Sequence, residues 1–109
     1  MATINEILSS EYSEQFDLIR QNMMVTSYYK YGPVEENYGG HNTIKSIERL
    51  ELRLNAYKRT GNTEYLANIA NFAMIEFMYP SKEGNAYKPT DGGVRIAGIG
   101  VNQISKGGL

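Results

Sequence analysis

Between Glu64 and Pro80 the chain reads EYLANIANFAMIEFMYP, an almost wholly apolar run interrupted by Asn68 and Asn71. Its spacing predicts a helix. Leu66, Ala70, Ala73 and Phe77 fall on one face, and Glu64, Asn68 and Asn71 recur opposite them at i, i+4 and i+7. Asn62 or Thr63 can cap its start, and Pro80, which cannot continue a helix, ends it. The flanks, with Tyr65, Ile69, Phe72, Met74 and Met78, are apolar too. A helix apolar on nearly every side has to be covered on most of them. The rest of the chain offers two more helices and a tail, too little for that cover, so the expected assembly is a homo-oligomer.

The first of those helices is expected over residues 3–24. Thr3 and Glu6 fit a capping box, and Ile4, Ile7, Leu8, Tyr12, Phe16, Ile19 and Met23 follow at helical spacing. The second is expected over 42–60, started by Asn42 or Thr43 and stopped by Gly61 with Asn62. Ile47, Leu50, Leu54 and Tyr57 form its apolar stripe. Glu48 and Glu51 border that stripe beside Ile44, Arg53 lies on the other edge, and Lys45 and Arg49 point further outward. Between the two, VTSYYKYGPVEENYGG (residues 25–40) is broken by Gly32-Pro33 and Gly39-Gly40 and reads as a loop or a short strand pair. Its tyrosines, Tyr28, Tyr29, Tyr31 and Tyr38, suit packing lids, interface anchors or stacking partners for a nucleobase. The tail, 80–109, is rich in glycine and is expected to be irregular, a short strand, or an arm reaching onto a neighbour. The expected fold is thus all-α, a single domain over 1–109 with three main helices (about 3–24, 42–60 and 63–79).

A chain of 109 residues can bury one modest core. Its net charge of −1 argues against a general DNA-coating role, which needs a cationic excess. The charge is unevenly placed, however. Lys45, Arg49, Arg53, Lys58 and Arg59 outnumber Glu48 and Glu51 over 45–59, and such a helix attracts a small anion. With no cysteine and a single histidine, His41, thiolate metal sites are excluded and a histidine triad is unexpected. No stretch has the length of a membrane span and no basic-then-apolar leader is present, so the expected location is the cytoplasm, without membrane association.

The glycine runs DGG and GIG match neither phosphate-loop fingerprint and read as turns. Arg95, between them, can close on a phosphate or pair with a neighbouring subunit's carboxylate. Glu48-x-x-Glu51 sets two carboxylates on one helical face, a pattern that holds Mg²⁺, and the stripe of Glu64, Asn68 and Asn71 is expected to face it. From about Tyr38 to Phe77, through NYGG, IERLELRL and YLANIANFAM, the sequence resembles the all-α MazG-like nucleoside triphosphate pyrophosphohydrolases and their small phage relatives. In that group one helix supplies Glu-x-x-Glu and a later one Glu-x-x-Asp. Carried over, the resemblance puts Glu48 and Glu51 in the first pair, with Tyr65 and Asn68 where the second pair belongs. Tyrosine and asparagine do not replace carboxylates as metal ligands, so the resemblance implies a nucleotide pocket without a complete metal cluster.

The leading expectation is therefore a non-catalytic nucleotide binder. By class and size the chain also resembles phage-encoded sponge proteins that sequester cyclic-nucleotide or ADP-ribose-type signals of host defence. The candidate ligand-binding residues are Tyr38, His41, Lys45, Arg49, Arg53, Asn68, Asn71, Tyr87 and Arg95, with no cofactor. One alternative is a divergent Mg²⁺-dependent pyrophosphohydrolase gathering metal through Glu48, Glu51, Glu64 and Glu76. A second is a structural or protein-binding helical oligomer, in which Asn68 and Asn71 hydrogen-bond a neighbouring segment and Glu48 and Glu51 are solvated.

Overall fold

The computed structural model describes residues 1–38, 44–82 and 84–90, and the expectations placed on Asn42, Thr43 and the glycine-rich arm over 91–109 lie outside them. The described residues hold helices and no strand: α1 (Ile4–Glu11), α2 (Glu14–Tyr31), α3 (Val34–Tyr38), α4 (Ser46–Thr60) and α5 (Glu64–Met78). The all-α expectation is met.

The single helix expected over 3–24 is two. Its start is as read: the Glu6 amide donates to Thr3 Oγ1 at 3.1 Å and the Thr3 amide donates to Glu6 Oε1 at 3.3 Å. The helix then stops because Ser9 and Ser10 donate their hydroxyls to the carbonyls of Glu6 and Ile7, and Tyr12 turns extended with ψ 151°. Ser13 restarts it as an N-cap, accepting the Phe16 amide at 3.0 Å, with Glu14 and Asp17 in the first turn where the helix dipole favours acids. The restart also rotates the apolar stripe. Ile4, Ile7, Tyr12 and Ile19 are exposed, while Phe16, Arg20, Met23 and Ser27 turn toward the protein.

Residues 25–31 are neither loop nor strand but the C-terminal turns of α2. The break comes at Gly32, whose φ of 84° suits glycine and whose amide donates to the Tyr28 carbonyl at 2.8 Å. Pro33 then opens α3. Asn37 ties the two helices together by donating its amide to the Tyr31 carbonyl at 3.0 Å and the Pro33 carbonyl at 3.1 Å. That clamp fixes where Tyr38 sits.

The α4–α5 hairpin is the centre of the fold. Gly61 ends α4 in the left-handed conformation (φ 70°), and its amide donates to the Tyr57 carbonyl at 2.7 Å, as the sequence suggests. Thr63 holds the N-cap position of α5, but the capping oxygen is Asn62 Oδ1, which accepts the Glu64 amide at 3.0 Å. At the far end Ser46 donates to Glu76 Oε1 at 2.6 Å, fixing the antiparallel register.

The expected α4 stripe is turned inward at Leu50, Leu54 and Tyr57 but not at Ile47, and the α5 face differs more. On α4 the buried residues are Ser46 and Ala56, whereas Ile47 is 40% exposed. On α5 they are Ala67, Asn71 and Ile75, one residue per turn along the side read as polar. Of these, Asn71 packs against α2 through Arg20. The supposed core face is turned out: Ala73 is exposed and Phe77 is 72% exposed. The fully buried apolar residues among those described are Ala56, Ala67 and Ile75. Burial of Ile75 contributes roughly 2 kcal/mol and each alanine less, a small core for a chain of this length.

Candidate functional site

The helices α2 and α3 and the α4–α5 hairpin border a cleft of about 490 Å³, within the size range of small-molecule sites. Its apolar lining comes from Met23 and Met24 on α2, Val34 and Tyr38 on α3, and Phe72 and Ile75 on α5. Its polar lining includes Lys30, Arg49, Arg53, Glu64, Asn68 and Asn71.

Arg49 and Arg53 stand one turn apart on the same face of α4, and both line the cleft, where their guanidinium groups are the α4 cations. Among the described residues neither makes an ion pair or a hydrogen bond, the one ion pair there being Arg20–Asp17 at 2.9 Å. Their charge is felt by Tyr38. Burial pushes the Tyr38 hydroxyl above its ordinary value of 10.0, against the pull of Arg49 and Arg53 toward the ionised form, while Tyr31 adds to the rise. The hydroxyl is therefore protonated at neutral pH and able to donate. The Tyr38 ring leans on Phe72 with centroids 6.4 Å apart and planes at 58°, an aromatic corner in the cleft wall.

The two asparagines have different surroundings. Asn71 is 5% exposed; its amide donates to the Arg20 carbonyl at 3.1 Å and its Oδ1 accepts the Arg20 guanidinium at 3.5 Å. Both ends of this side chain hold α2 against α5. Asn68 is half-buried and donates weakly, at 3.4 Å, to the Glu64 carbonyl one turn back, and its Oδ1 has no partner among the described residues. Asn68 presents an amide to the cleft.

The remaining expected ligand residues are dispersed. Lys45 borders a separate hollow of about 310 Å³ with Tyr38 and Ser81, and Tyr87 is 66% exposed and lines neither space. His41 and Arg95 lie outside the described residues. Sequence reasoning had no reason to choose Lys30, because it assigned the surrounding tyrosines to a loop; the uninterrupted helical run from Ser13 to Tyr31 was the missed signal.

The carboxylates do not gather. Glu48 and Glu51 are exposed and do not line the cleft, Glu64 lines it, and Glu76 bonds Ser46 and Ser81 instead. Among the described residues no three acidic or histidine side chains are grouped to hold a metal ion. The facing arrangement expected of Glu48 and Glu51 with the α5 stripe is not seen, because Arg49 and Arg53, not the two glutamates, are the α4 charges that line the cleft. What the cleft offers is three cations, one carboxylate, one presented amide and an aromatic corner.

Comparison of the chain with protein families, with curated proteins and with solved structures found no match.

Proposed function

We propose that the protein binds a small nucleotide in this cleft and does not cleave it, and that it acts by sequestering the ligand. The carrying observation is that Arg49 and Arg53, side by side and without partners among the described residues, flank the Tyr38–Phe72 corner. Two unpaired guanidinium groups supply fork-shaped donors for phosphate oxygens. The aromatic and thioether wall supplies apolar surface for the rest of the nucleotide, and Lys30 adds to the positive field. The described residues bring no acidic cluster to this space, which favours binding over metal-assisted hydrolysis. A signal-sequestering protein of phage origin, of the cyclic-nucleotide or ADP-ribose class, is the biological role we attach to this chemistry. The test is to heat-denature the purified protein and identify released small molecules by mass spectrometry, followed by calorimetric titration of that nucleotide. Recovery of an intact nucleotide supports the proposal. Mg²⁺-dependent conversion to products supports a pyrophosphohydrolase instead, and absence of binding at micromolar concentration ends the proposal.

A second reading, self-association, is compatible with the first and is favoured by a different observation. The side of α5 opposite Asn71 carries Leu66, Ile69, Ala70, Ala73 and Phe77 with no charge among them, the first three half-buried and the last two exposed, while few apolar residues among those described are fully buried. An uncharged stripe with small residues at its middle and larger ones at its ends can meet its own copy about a two-fold axis. Sedimentation or light scattering on the full chain decides it.

A further inference from the structure

Glu64 is out of place in a cleft read as binding phosphate. Its carboxylate lines the same space as Lys30, Arg49 and Arg53, yet forms no ion pair with any of them among the described residues. A carboxylate there weakens the attraction for any anion unless the ligand itself bonds to it. Ionised carboxylate is acceptor-only, with two oxygens side by side, so a base edge that engages both presents two adjacent donors.

Among the common bases, guanine does so, through N1–H and the N2 amino group on one edge. Adenine places its amino donor beside the N1 acceptor, cytosine places its own beside N3, and uracil flanks its single N3–H with carbonyls. One turn further along α5, the Asn68 amide can donate to the guanine O6 that adjoins N1. The hairpin register separates the two parts of the site. Ser46–Glu76 closes the end toward which Arg49 lies, whereas Glu64 starts α5 beside the Gly61 turn. Arg49 and Glu64 therefore occupy different stretches of one cleft, with Arg53 between them.

We infer that Glu64 is a specificity-determining residue and that the ligand carries a guanine base, an inference that rests on the nucleotide-binding reading. Calorimetric titration of the full chain and of Glu64→Gln with 5′-GMP, 5′-IMP and 5′-AMP tests it. GMP is expected to bind about tenfold or more tightly than IMP, which lacks the N2 amino group, and than AMP, as befits a two-bond base contact. In Glu64→Gln, an exposed position where the fold is retained, that preference collapses while AMP binds at least as well as before. Equal affinities for GMP and AMP, or a preference that survives Glu64→Gln, overturn the guanine assignment and leave nucleotide binding standing. Failure of all three to bind the unaltered protein overturns the nucleotide reading itself.

Discussion

Asn71 on α5 and Arg20 on α2 hold each other from both ends: the Asn71 amide donates to the Arg20 carbonyl at 3.1 Å while the Arg20 guanidinium donates to Asn71 Oδ1 at 3.5 Å. Arg20 is in turn steadied by Asp17 at 2.9 Å and by the Phe16 ring 5.9 Å from its guanidinium carbon. Because Asn71 is buried, Asn71→Ala removes these bonds, leaves the Arg20 carbonyl with its helical partner alone and opens a void. Destabilisation of about 2–3 kcal/mol is expected, read from the urea unfolding midpoint. Asn68→Ala, at a half-exposed position with one weak bond within its own helix, is expected to cost less than about 1 kcal/mol. A comparable loss at both positions contradicts the division of roles between the two amides.

The opposite pattern is expected on α4. Arg49→Gln and Arg53→Gln each remove a cation from the cleft without breaking an ion pair or hydrogen bond among the described residues. Thermal stability should move little, while nucleotide affinity falls about tenfold or more for each, the worth of a charged hydrogen bond to phosphate. The loss should shrink as salt is raised, since the removed contribution is electrostatic. Calorimetry at two ionic strengths checks both points. Unchanged affinity in both variants places the phosphate elsewhere.

Glu76 gives the protein a defined acid sensitivity. Burial pushes its carboxyl up, but the Ser46 hydroxyl, the amide and hydroxyl of Ser81 and the Lys45 charge together bring it below the ordinary 4.5. A carboxylate with a lowered folded-state value contributes stability that is present above its unfolded value. That contribution is lost as pH falls from about 4.5 through the lower folded value. Glu76→Gln is therefore expected to be less stable than the parent at neutral pH and to show a shallower decline below about pH 4.5. Unfolding midpoints across the acid range measure this. Parallel curves for parent and variant exclude Glu76 as the source.

The sequence made the hairpin legible through local chemistry, and the packing was less legible. Gly61 needs the left-handed conformation and Asn62 offers a capping oxygen, so the α4–α5 turn was readable from residue type. The Thr3–Glu6 box was readable for the same reason. The Ser13 restart was not read, because Tyr12 and Phe16 continue the apolar spacing across it and periodicity does not register a lost hydrogen bond. On α4 the expected stripe holds at Leu50, Leu54 and Tyr57 and fails at Ile47, whereas on α5 hydropathy ranks Phe77 above Ala67 and Asn71, which are the buried ones. Arg49, Arg53 and Asn68 were chosen on charge and amide chemistry, and the fold places all three on one cleft. Lys45 and Tyr87 were chosen on the same grounds and are elsewhere, since residue type carries no information on direction.

The outward face of α5 supports the last prediction. Phe77 at 72% exposure lies two turns from Ala70 and one from Ala73 on a stripe without charge. If a second copy covers that stripe about a two-fold axis, residues near its centre meet their own equivalents. Ala73→Glu then places two carboxylates against each other in an apolar contact, a double cost of repulsion and desolvation. Light scattering coupled to size exclusion should give a multiple of 12.3 kDa for the parent and 12.3 kDa for Ala73→Glu. The parent's unfolding midpoint should rise with protein concentration, whereas the variant's should not. Phe77→Ser, which removes apolar area without adding charge, should weaken association by a smaller amount. A parent chain that runs at 12.3 kDa at every concentration leaves α5 exposed in solution and removes self-association as the explanation for the small core.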